Sequence, residues 1–417
     1  MKKFLLALIF LLNCSTCAAD ELDAAEIRLI CAVCSVGAYS DDNSFFTRSM
    51  LTTRGWQIEK LASKNNRVET KAYLVSKGDI KILTIAGTEN LKDVEVDFRV
   101  GRVHLDGTPL DKEKVSKDEI FVHKGFRDYA DAVLSDGLAE QLITSLKKNP
   151  RETLYITGHS LGGAVATLAA IRLADSGVPT ERLKIITFGA PAIGSKAFAA
   201  SYENKIDLTR VVMKGDIIKK SLSKLGYVQF GKVLECEPSH TSNHFEHKMA
   251  VYLDCAIRDY YAAGGTLNYE ARDKINAPIY VAPILLLKDS FHKSDEELIL
   301  NALDDSLQNH FGKLTFATAQ SIELDEENLF DDDAEEFVAA AREHDCKYVL
   351  IRILSAKKIR DAPSGDRHVT LEEIILDADG ALLSMQTSGA STDNLTIFEA
   401  AIFAQENLIE DTKNFFK

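Results

Sequence analysis

Residues 153–177 read TLYITGHSLGGAVATLAAIRLADSG, and they decide how the rest of the chain is interpreted. The stretch opens with the β-branched and aromatic residues of a buried strand and ends in an apolar run with helical spacing. Between them lies the pattern G-x-S-x-G, with Ser160 at its centre. A sharp strand-to-helix turn holds such a serine clear of the sheet, and Gly158 and Gly162 relieve the crowding because they lack a Cβ atom. This context favours a nucleophilic serine over a plain glycine-rich turn with a surface serine.

The surroundings of this turn predict an α/β sheet. Residues 67–90, RVETKAYLVSKGDIKILTIAGTEN, read as two strands around a hairpin turn at Gly78-Asp79. Strand and helix patterns then alternate as far as residue 265, which predicts a mostly parallel sheet with helices on both faces. A strand-to-helix elbow in such a sheet is typical of an α/β-hydrolase.

Two backbone positions are predicted to stabilise a negatively charged oxygen near the serine. The helix after the elbow directs its free amide groups at the site, so the amide of Leu161 is one predicted donor. The other donor is predicted on the loop that ends the strand ILTIAGTEN. There Gly87 lets the backbone approach closely, and Thr88 offers both an amide and a hydroxyl group.

A serine hydroxyl becomes a good nucleophile only when a base removes its proton, and an acid must orient that base. Both partners are expected after the serine in chain order. Asp216 is the predicted acid because it lies just past the strand pattern at residues 208–213. Asp207 precedes that strand and fits less well.

Three histidines compete for the role of the base: His240, His244 and His247. His247 begins an amphipathic helix, HKMAVYLDCAI, that anchors its backbone and leaves its ring free, so we predict His247, with His244 as the alternative. His159 lies inside the elbow itself. Its side chain is expected to pack beside the turn rather than take part in the chemistry.

Six stretches in a fixed order make residues 25–260 resemble the class 3 lipases, the family of fungal-type lipases and feruloyl esterases. They are TIAGTEN, VHKGFRDYADAV, ITGHSLGGAVATLAA, ITFGAPAIGSKAFA, VVMKGDII and HFEHKMAVYL. The resemblance implies an α/β-hydrolase fold and a catalytic triad of Ser160, Asp216 and His247. It implies no metal and no organic cofactor.

The resemblance also implies which residues form the oxyanion hole and where a lid covers the site. It places Thr88 and Leu161 at the two oxyanion positions, and it places a lid over residues 89–98, with Asp97 near its end. One departure from the family pattern is Ala86, where the family carries an arginine. The lid stretch holds only scattered apolar residues among charges, whereas a lid that meets an oil surface has a broader apolar face.

The N-terminus has the features of a signal peptide. A basic start at residues 1–3 precedes an apolar run at residues 4–12 that is too short to span a bilayer, and small residues precede Asp20. Residues 1–19 are therefore predicted to direct the chain to secretion or to the periplasm. The alternative is a lipoprotein anchored at Cys14.

After residue 19 five cysteines remain. Cys31 and Cys34 lie in a helix pattern and are expected to be core residues rather than a redox or metal pair. Cys236 and Cys255 are a candidate disulfide, and the sequence alone leaves their pairing undecided.

The chain is predicted to contain a hydrolase domain at residues 20–265 and a smaller α/β domain at residues 275–417. Residues 20–267 hold 33 acidic and 33 basic side chains, whereas residues 268–417 hold 30 acidic and 14 basic ones. Neither part is a basic surface, which argues against a nucleic-acid partner. The second domain loosely resembles small α/β domains of bacterial envelope proteins, and its role and partner stay open.

These observations predict an exported serine hydrolase that cleaves carboxylic esters, above all lipid esters such as triacylglycerol. Phospholipids and non-lipid, feruloyl-type esters are the alternative substrates, and peripheral contact with lipid surfaces is compatible with each lipid substrate. An alternative from another class is an envelope-binding protein that uses the hydrolase fold as a scaffold. A complete set of Ser160, Asp216, His247 and Thr88 speaks against a scaffold, because a scaffold has no use for it.

Overall fold

The computed structural model describes residues 2–39, 45–61, 71–87, 101–110, 119–237, 247–267, 274–324, 331–360, 366–392 and 395–416. The chain forms two compact units, Met1–Ile257 and Arg258–Lys417. The boundary between these units falls inside a helix, Met249–Ala262. The division into domains at residues 20–265 and 275–417 therefore stays a prediction.

The first unit alternates strands and helices as the sequence predicts. Its helices are α1 (Lys2–Gly37), α2 (Phe45–Thr53), α3 (Lys124–Val133), α4 (Leu138–Lys148), α5 (Leu161–Asp175), α6 (Lys196–Tyr202) and α7 (Met249–Ala262), the last of which continues into the second unit. Its strands are β1 (Gln57–Leu61), β2 (Ala72–Lys77), β3 (Ile80–Ile85), β4 (Arg102–Val103), β5 (Val122–His123), β6 (Thr153–His159), β7 (Leu183–Phe188), β8 (Gly194–Ser195), β9 (Asp207–Met213), β10 (Tyr227–Val228) and β11 (Lys232–Cys236).

The main sheet has the strand order β1-β2-β3-β6-β7-β9-β11. Strand β2 is antiparallel to both of its neighbours, β1 and β3, and the five strands from β3 to β11 in this order are parallel. The predicted hairpin at Gly78-Asp79 is confirmed as the β2–β3 turn. Because parallel strands end at one edge of a sheet, the segments that follow β3, β6, β7 and β9 meet there. This is an α/β-hydrolase sheet, and it brings distant parts of the sequence to one place.

Helix α5 lies in the interior of the first unit. All of its residues from Leu161 to Ile171 are buried, as its apolar sequence predicts for a helix without a polar face. Several of these residues are alanine or glycine, so the helix packs closely against β3, β6 and β7. The start of α5 is thus held firmly at the edge of the sheet.

Helix α1 places both cysteines of the C-x-x-C pattern in the core. Cys31 and Cys34 are fully buried free thiols. Burial raises the pKa of both, that of Cys34 to about 12. Thiols that stay protonated are inert packing groups, as expected from the helix pattern. Within the described residues, none of the helices has the length and apolarity that a membrane span requires.

The second unit is a separate, smaller α/β sheet. Its strands are β12 (Ile279–Val281), β13 (Ile284–Leu287), β14 (Leu314–Phe316), β15 (Ser321–Leu324), β16 (Tyr348–Lys358), β17 (Arg367–Asp377) and β18 (Leu382–Ser391), and its helices are α8 (Lys293–His310), α9 (Asp331–Glu343) and α10 (Ile397–Phe415). Strands β12 and β13 pair in parallel with successive parts of β16, and β17 and β18 continue the sheet as an antiparallel hairpin. Alternate residues of β16 face α9 on one side and α8 and α10 on the other.

Two stretches of this unit are divided between elements. The stretch IYVAPILLL, whose apolar pattern predicts a single strand, is broken into β12 and β13 at Ala282-Pro283, because proline has no N–H to give to the ladder. The acidic run at residues 323–336 predicts a solvated helix start, and a helix does begin inside it. The first two residues of the run end β15, residues 325–330 lie outside the described part of the chain, and α9 begins at Asp331.

Candidate active site

Ser160 lies at the sharp turn between β6 and α5. Its backbone has φ 54° and ψ −125°, a conformation that residues with a Cβ atom rarely adopt and that costs about 1–3 kcal/mol. The turn is held by hydrogen bonds on both sides. The amide of Ser160 donates to the carbonyl of Phe188 on β7 at 2.9 Å, and its carbonyl accepts from the amide of Gly163 at 3.0 Å. Hydrogen bonds to β7 and to the first turn of α5 therefore hold the strained turn in place.

The two glycines of the elbow make the turn sterically possible. A Cβ atom added to Gly158 would lie 2.5 Å from the carbonyl carbon of Gly162 and 2.7 Å from the carbonyl oxygen of Ile85. A side chain at Gly162 would collide with the backbone of Ile85 and Ala86. The elbow thus packs backbone against backbone at the end of β3, as the sequence predicts.

The structure brings Ser160, His247 and Asp216 together. The Oγ atom of Ser160 lies 2.8 Å from Nε2 of His247, and Nδ1 of His247 lies 2.8 Å from Oδ2 of Asp216. The exposed fractions of the three residues are 1%, 8% and 2%. Asp216 follows β9 and His247 precedes α7, so the sheet edge assembles residues far apart in the chain. Such a chain of hydrogen bonds can move a proton from the serine hydroxyl to the imidazole.

Asp216 is held by groups other than His247. The backbone amide of Ile218 donates to its Oδ1 atom at 2.8 Å, and the hydroxyl of Tyr252 donates to its Oδ2 atom at 2.5 Å. Tyr252 is fully buried, and its oxygen in turn accepts the amide of Met213 at 3.2 Å. Burial, followed by the nearby Asp216 charge, raises the pKa of Tyr252, so it remains a hydrogen-bond donor.

Tyr252 was not identified from the sequence. It lies in the apolar pattern of α7, where an aromatic residue reads as an ordinary core position. It lies five residues after His247, and this spacing does not indicate a role in the site. The contact between the Tyr252 hydroxyl and Asp216 is visible only in the folded structure, where the end of β9 lies beside α7.

A disulfide joins Cys236, the last residue of β11, to Cys255 on α7. The carbonyl of Cys236 also accepts the amide of Lys214, two residues before Asp216. The bond therefore ties the helix that follows His247 to the strand beside Asp216. The structure settles the pairing that the sequence left undecided.

Replacing Cys236 and Cys255 together by alanine is expected to lower the free energy of unfolding by about 3 kcal/mol. The two cysteines are 19 residues apart, and a cross-link of that span restricts the unfolded chain by roughly this amount. Guanidinium titration followed by loss of activity would measure the change in the first unit. Cys346→Ala, which removes a buried free thiol from the second unit, is the control. A double variant with the midpoint of that control would contradict the expectation.

The predicted oxyanion positions are described only in part. Leu161 is the first residue of α5, and the first amides of a helix have no intrahelical acceptor, so its N–H is available beside Ser160. Thr88 and the predicted lid at residues 89–98 lie outside the described residues. Ala86 and Gly87, at the end of β3, are described, and a side chain at Gly162 would meet the backbone of Ala86.

The alternative candidates take other positions. Asp207 is the first residue of β9, at the opposite end of the strand from Asp216, and it forms an ion pair with Lys184 at 2.6 Å. His240 and His244 lie outside the described residues. In the described part of the chain, His, Cys, Asp and Glu side chains form no group of three or more that is suited to hold a metal ion.

Comparison with known proteins identifies one family. Residues 82–224 match the model of the family Lipase (class 3). The chain is 32% identical to a lipase of Caenorhabditis elegans over 107 residues, which are 24% of this chain and 30% of that protein. It is 30% identical to the chloroplastic phospholipase A(1) DAD1 of Arabidopsis thaliana over 146 residues, which are 33% of this chain and 33% of that protein. The chain thus spans about a third of the length of these relatives.

Solved structures of lipases are also similar. The lipase from Rhizopus microsporus var. chinensis is 22% identical, with a TM-score of 0.42 over 52% of this chain and 74% of that one.

Proposed function

Because residues 82–224 belong to the class 3 lipase family, we propose that this protein is a serine hydrolase of carboxylic esters and that its substrates are lipid esters. The observation that carries the proposal is the buried chain of hydrogen bonds from Ser160 through His247 to Asp216. A surface serine in a glycine-rich turn has no need of a strained backbone or of a buried imidazole beside it. An envelope-binding scaffold likewise has no use for this arrangement.

In the proposed mechanism Ser160 attacks the ester carbonyl while Nε2 of His247 takes the proton of its hydroxyl group. The imidazolium that forms is stabilised by Asp216, which also keeps the proton of the neutral ring on Nδ1. His247 then gives its proton to the leaving alcohol, and an acyl-enzyme remains. A water molecule, deprotonated by His247, attacks this acyl group and releases the carboxylic acid. No metal and no organic cofactor takes part in these steps.

The charge that develops on the carbonyl oxygen needs donors at fixed positions. We assign these roles to the backbone amide of Leu161 and, by resemblance to the family, to Thr88. The amide of Leu161 is held at the start of a fully buried helix, so no reorganisation is required when the charge appears. One such donor typically contributes about 3–4 kcal/mol to transition-state stabilisation.

Within the class of lipid esters, two substrate groups remain in the proposal. Triacylglycerols are the first, as for the fungal-type lipases that the sequence resembles. Phospholipids are the second, since one relative bears the name phospholipase A(1). Feruloyl-type esters are the non-lipid alternative.

We further propose that the protein acts outside the cytoplasm. The disulfide between Cys236 and Cys255 supports this location, because such bonds persist in oxidising compartments. The predicted signal peptide at residues 1–19 points the same way, whether the chain is released or remains anchored at Cys14.

Hydrolysis of p-nitrophenyl esters from short to long acyl chains tests the function. Wild type is compared with Ser160→Ala and with Ser176→Ala, which changes an exposed serine at the end of α5. We expect activity that depends on Ser160 and rises toward long chains, followed by release of fatty acid from triacylglycerol or phospholipid vesicles. Activity confined to short chains would reassign the protein to the non-lipid esterases. Equal rates for wild type and Ser160→Ala would refute a serine mechanism.

A further inference from the structure

His159 lies inside the elbow, between Gly158 and Ser160, and its side chain is 5% exposed. Its ring packs beside the ring of His247, with the two centroids 4.7 Å apart. This agrees with the expectation that it packs beside the turn. The structure adds two hydrogen bonds to that expectation. The Nε2 atom of His159 lies 2.7 Å from the backbone carbonyl of His247, and its Nδ1 atom lies 2.5 Å from the hydroxyl of Tyr39.

The partners of His159 determine which ring nitrogen carries its proton. Burial, and next the charge of His247, hold the pKa of His159 well below its usual range, so its ring is neutral and has one N–H group. A carbonyl oxygen can only accept a hydrogen bond, so that N–H is on Nε2 and points at His247. Nδ1 is therefore an acceptor, and the hydroxyl of Tyr39 donates to it.

Tyr39 extends this contact toward the end of β3. A Cβ atom added to Gly87 would lie 2.5 Å from the hydroxyl oxygen of Tyr39 and 2.6 Å from the carbonyl oxygen of His159. Gly87 immediately precedes Thr88, to which the second oxyanion contact is assigned. Tyr39, the second partner of the His159 ring, thus lies beside the backbone that leads to the oxyanion loop.

The position of His159 links the nucleophile to the base. Its backbone is covalently joined to Ser160, whereas its side chain binds the backbone of His247, a residue that precedes the first turn of α7. We propose that His159 is a positioning residue: its Nε2–H fixes the peptide group of His247 and so maintains the distance between the Ser160 hydroxyl and the imidazole. This inference rests on the proposed hydrolase function, in which that distance controls proton transfer.

Two substitutions that differ in one hydrogen bond test this role. His159→Gln places an N–H donor where Nε2 now lies, so it can still bind the carbonyl of His247. His159→Asn places its oxygen near the present Nδ1 and can still accept from Tyr39, but it has no donor that reaches His247. We expect His159→Asn to lower kcat about 10- to 100-fold at unchanged KM, and His159→Gln to recover most of that loss. Melting temperatures measured in parallel report whether both variants fold.

A second readout is independent of substrate. The proton on Nδ1 of His247, shared with Asp216, gives a low-field proton resonance that can be followed in a Ser160→Ala background. We expect His159→Asn to shift this resonance and His159→Gln to leave it near its original position. Equal kcat values and equal resonances for the two variants would overturn the positioning role. If wild type hydrolyses no ester, the proposed function fails, and the resonance still decides whether His159 positions His247.

Discussion

Ser160→Ala is expected to lower kcat for ester hydrolysis by about 10⁶-fold, the size of loss found when a triad serine is removed. The substitution removes the atom that forms the acyl-enzyme, and no other hydroxyl is placed to receive help from His247 in the described part of the site. Alanine keeps the Cβ atom and therefore the same backbone strain, so the melting temperature is expected to stay close to that of wild type. Hydrolysis of a p-nitrophenyl ester in excess over the protein measures the effect: the initial burst of p-nitrophenol reports formation of the acyl-enzyme, and the steady-state rate gives kcat.

The Ser160→Ala variant is expected to keep a measurable rate of ester hydrolysis. Donors at the oxyanion position and substrate binding typically leave a catalysis of 10³–10⁴ over water, so about that much is expected to survive. Ser176→Ala, the exposed control, is expected to show the wild-type burst. A Ser160→Ala protein that still shows a full burst would mean that another residue forms the acyl-enzyme.

Asp216→Asn is expected to lower kcat by about 10⁴-fold with little change in KM. The reason lies in the fixed environment of Oδ1, which accepts the amide of Ile218 at 2.8 Å. That backbone amide can only donate, whereas the Tyr252 hydroxyl beside Oδ2 can rotate and accept. An asparagine therefore keeps its oxygen beside Ile218, and its NH₂ group faces His247 and Tyr252. A donor there forces Nδ1 of His247 to accept and moves the ring proton to Nε2, where it blocks proton transfer from Ser160. Steady-state kinetics across the same ester series would measure the loss.

Asp207→Asn is the matched control for this substitution. Asp207 was the alternative acid, and it lies at the far end of β9 in a partly exposed ion pair with Lys184. Such a pair contributes little to stability, so wild-type kinetics are expected. If Asp207→Asn caused the larger loss of activity, the assignment of the acid to Asp216 would be wrong.

The elbow and the sheet could be predicted because their signals are local. Ser160 is framed by glycines that only a tight turn requires, and the alternation of strands and helices around it leaves few alternatives for the fold. Asp216 could be predicted because the residues that follow a parallel strand lie at the carboxyl edge of the sheet. His247 was preferred over His244 because a helix begins beside it.

The features that could not be predicted from the sequence depend on which elements lie next to each other in the fold. Tyr252 reads as core in its own helix, and its hydroxyl acquires a role only because Asp216 comes to lie beside it. The pairing of Cys236 with Cys255 needs β11 and α7 to be adjacent, which no local pattern encodes.

The strained backbone of Ser160 lowers the stability of the folded chain. At φ 54° and ψ −125° a glycine would be free of the penalty that serine suffers, about 1–3 kcal/mol, and would lose about 0.5–1 kcal/mol through its more flexible unfolded state. By this comparison a glycine at position 160 would make the folded chain more stable than the serine does. The hydroxyl group of Ser160 is thus held beside His247 at a cost in stability that a glycine would avoid.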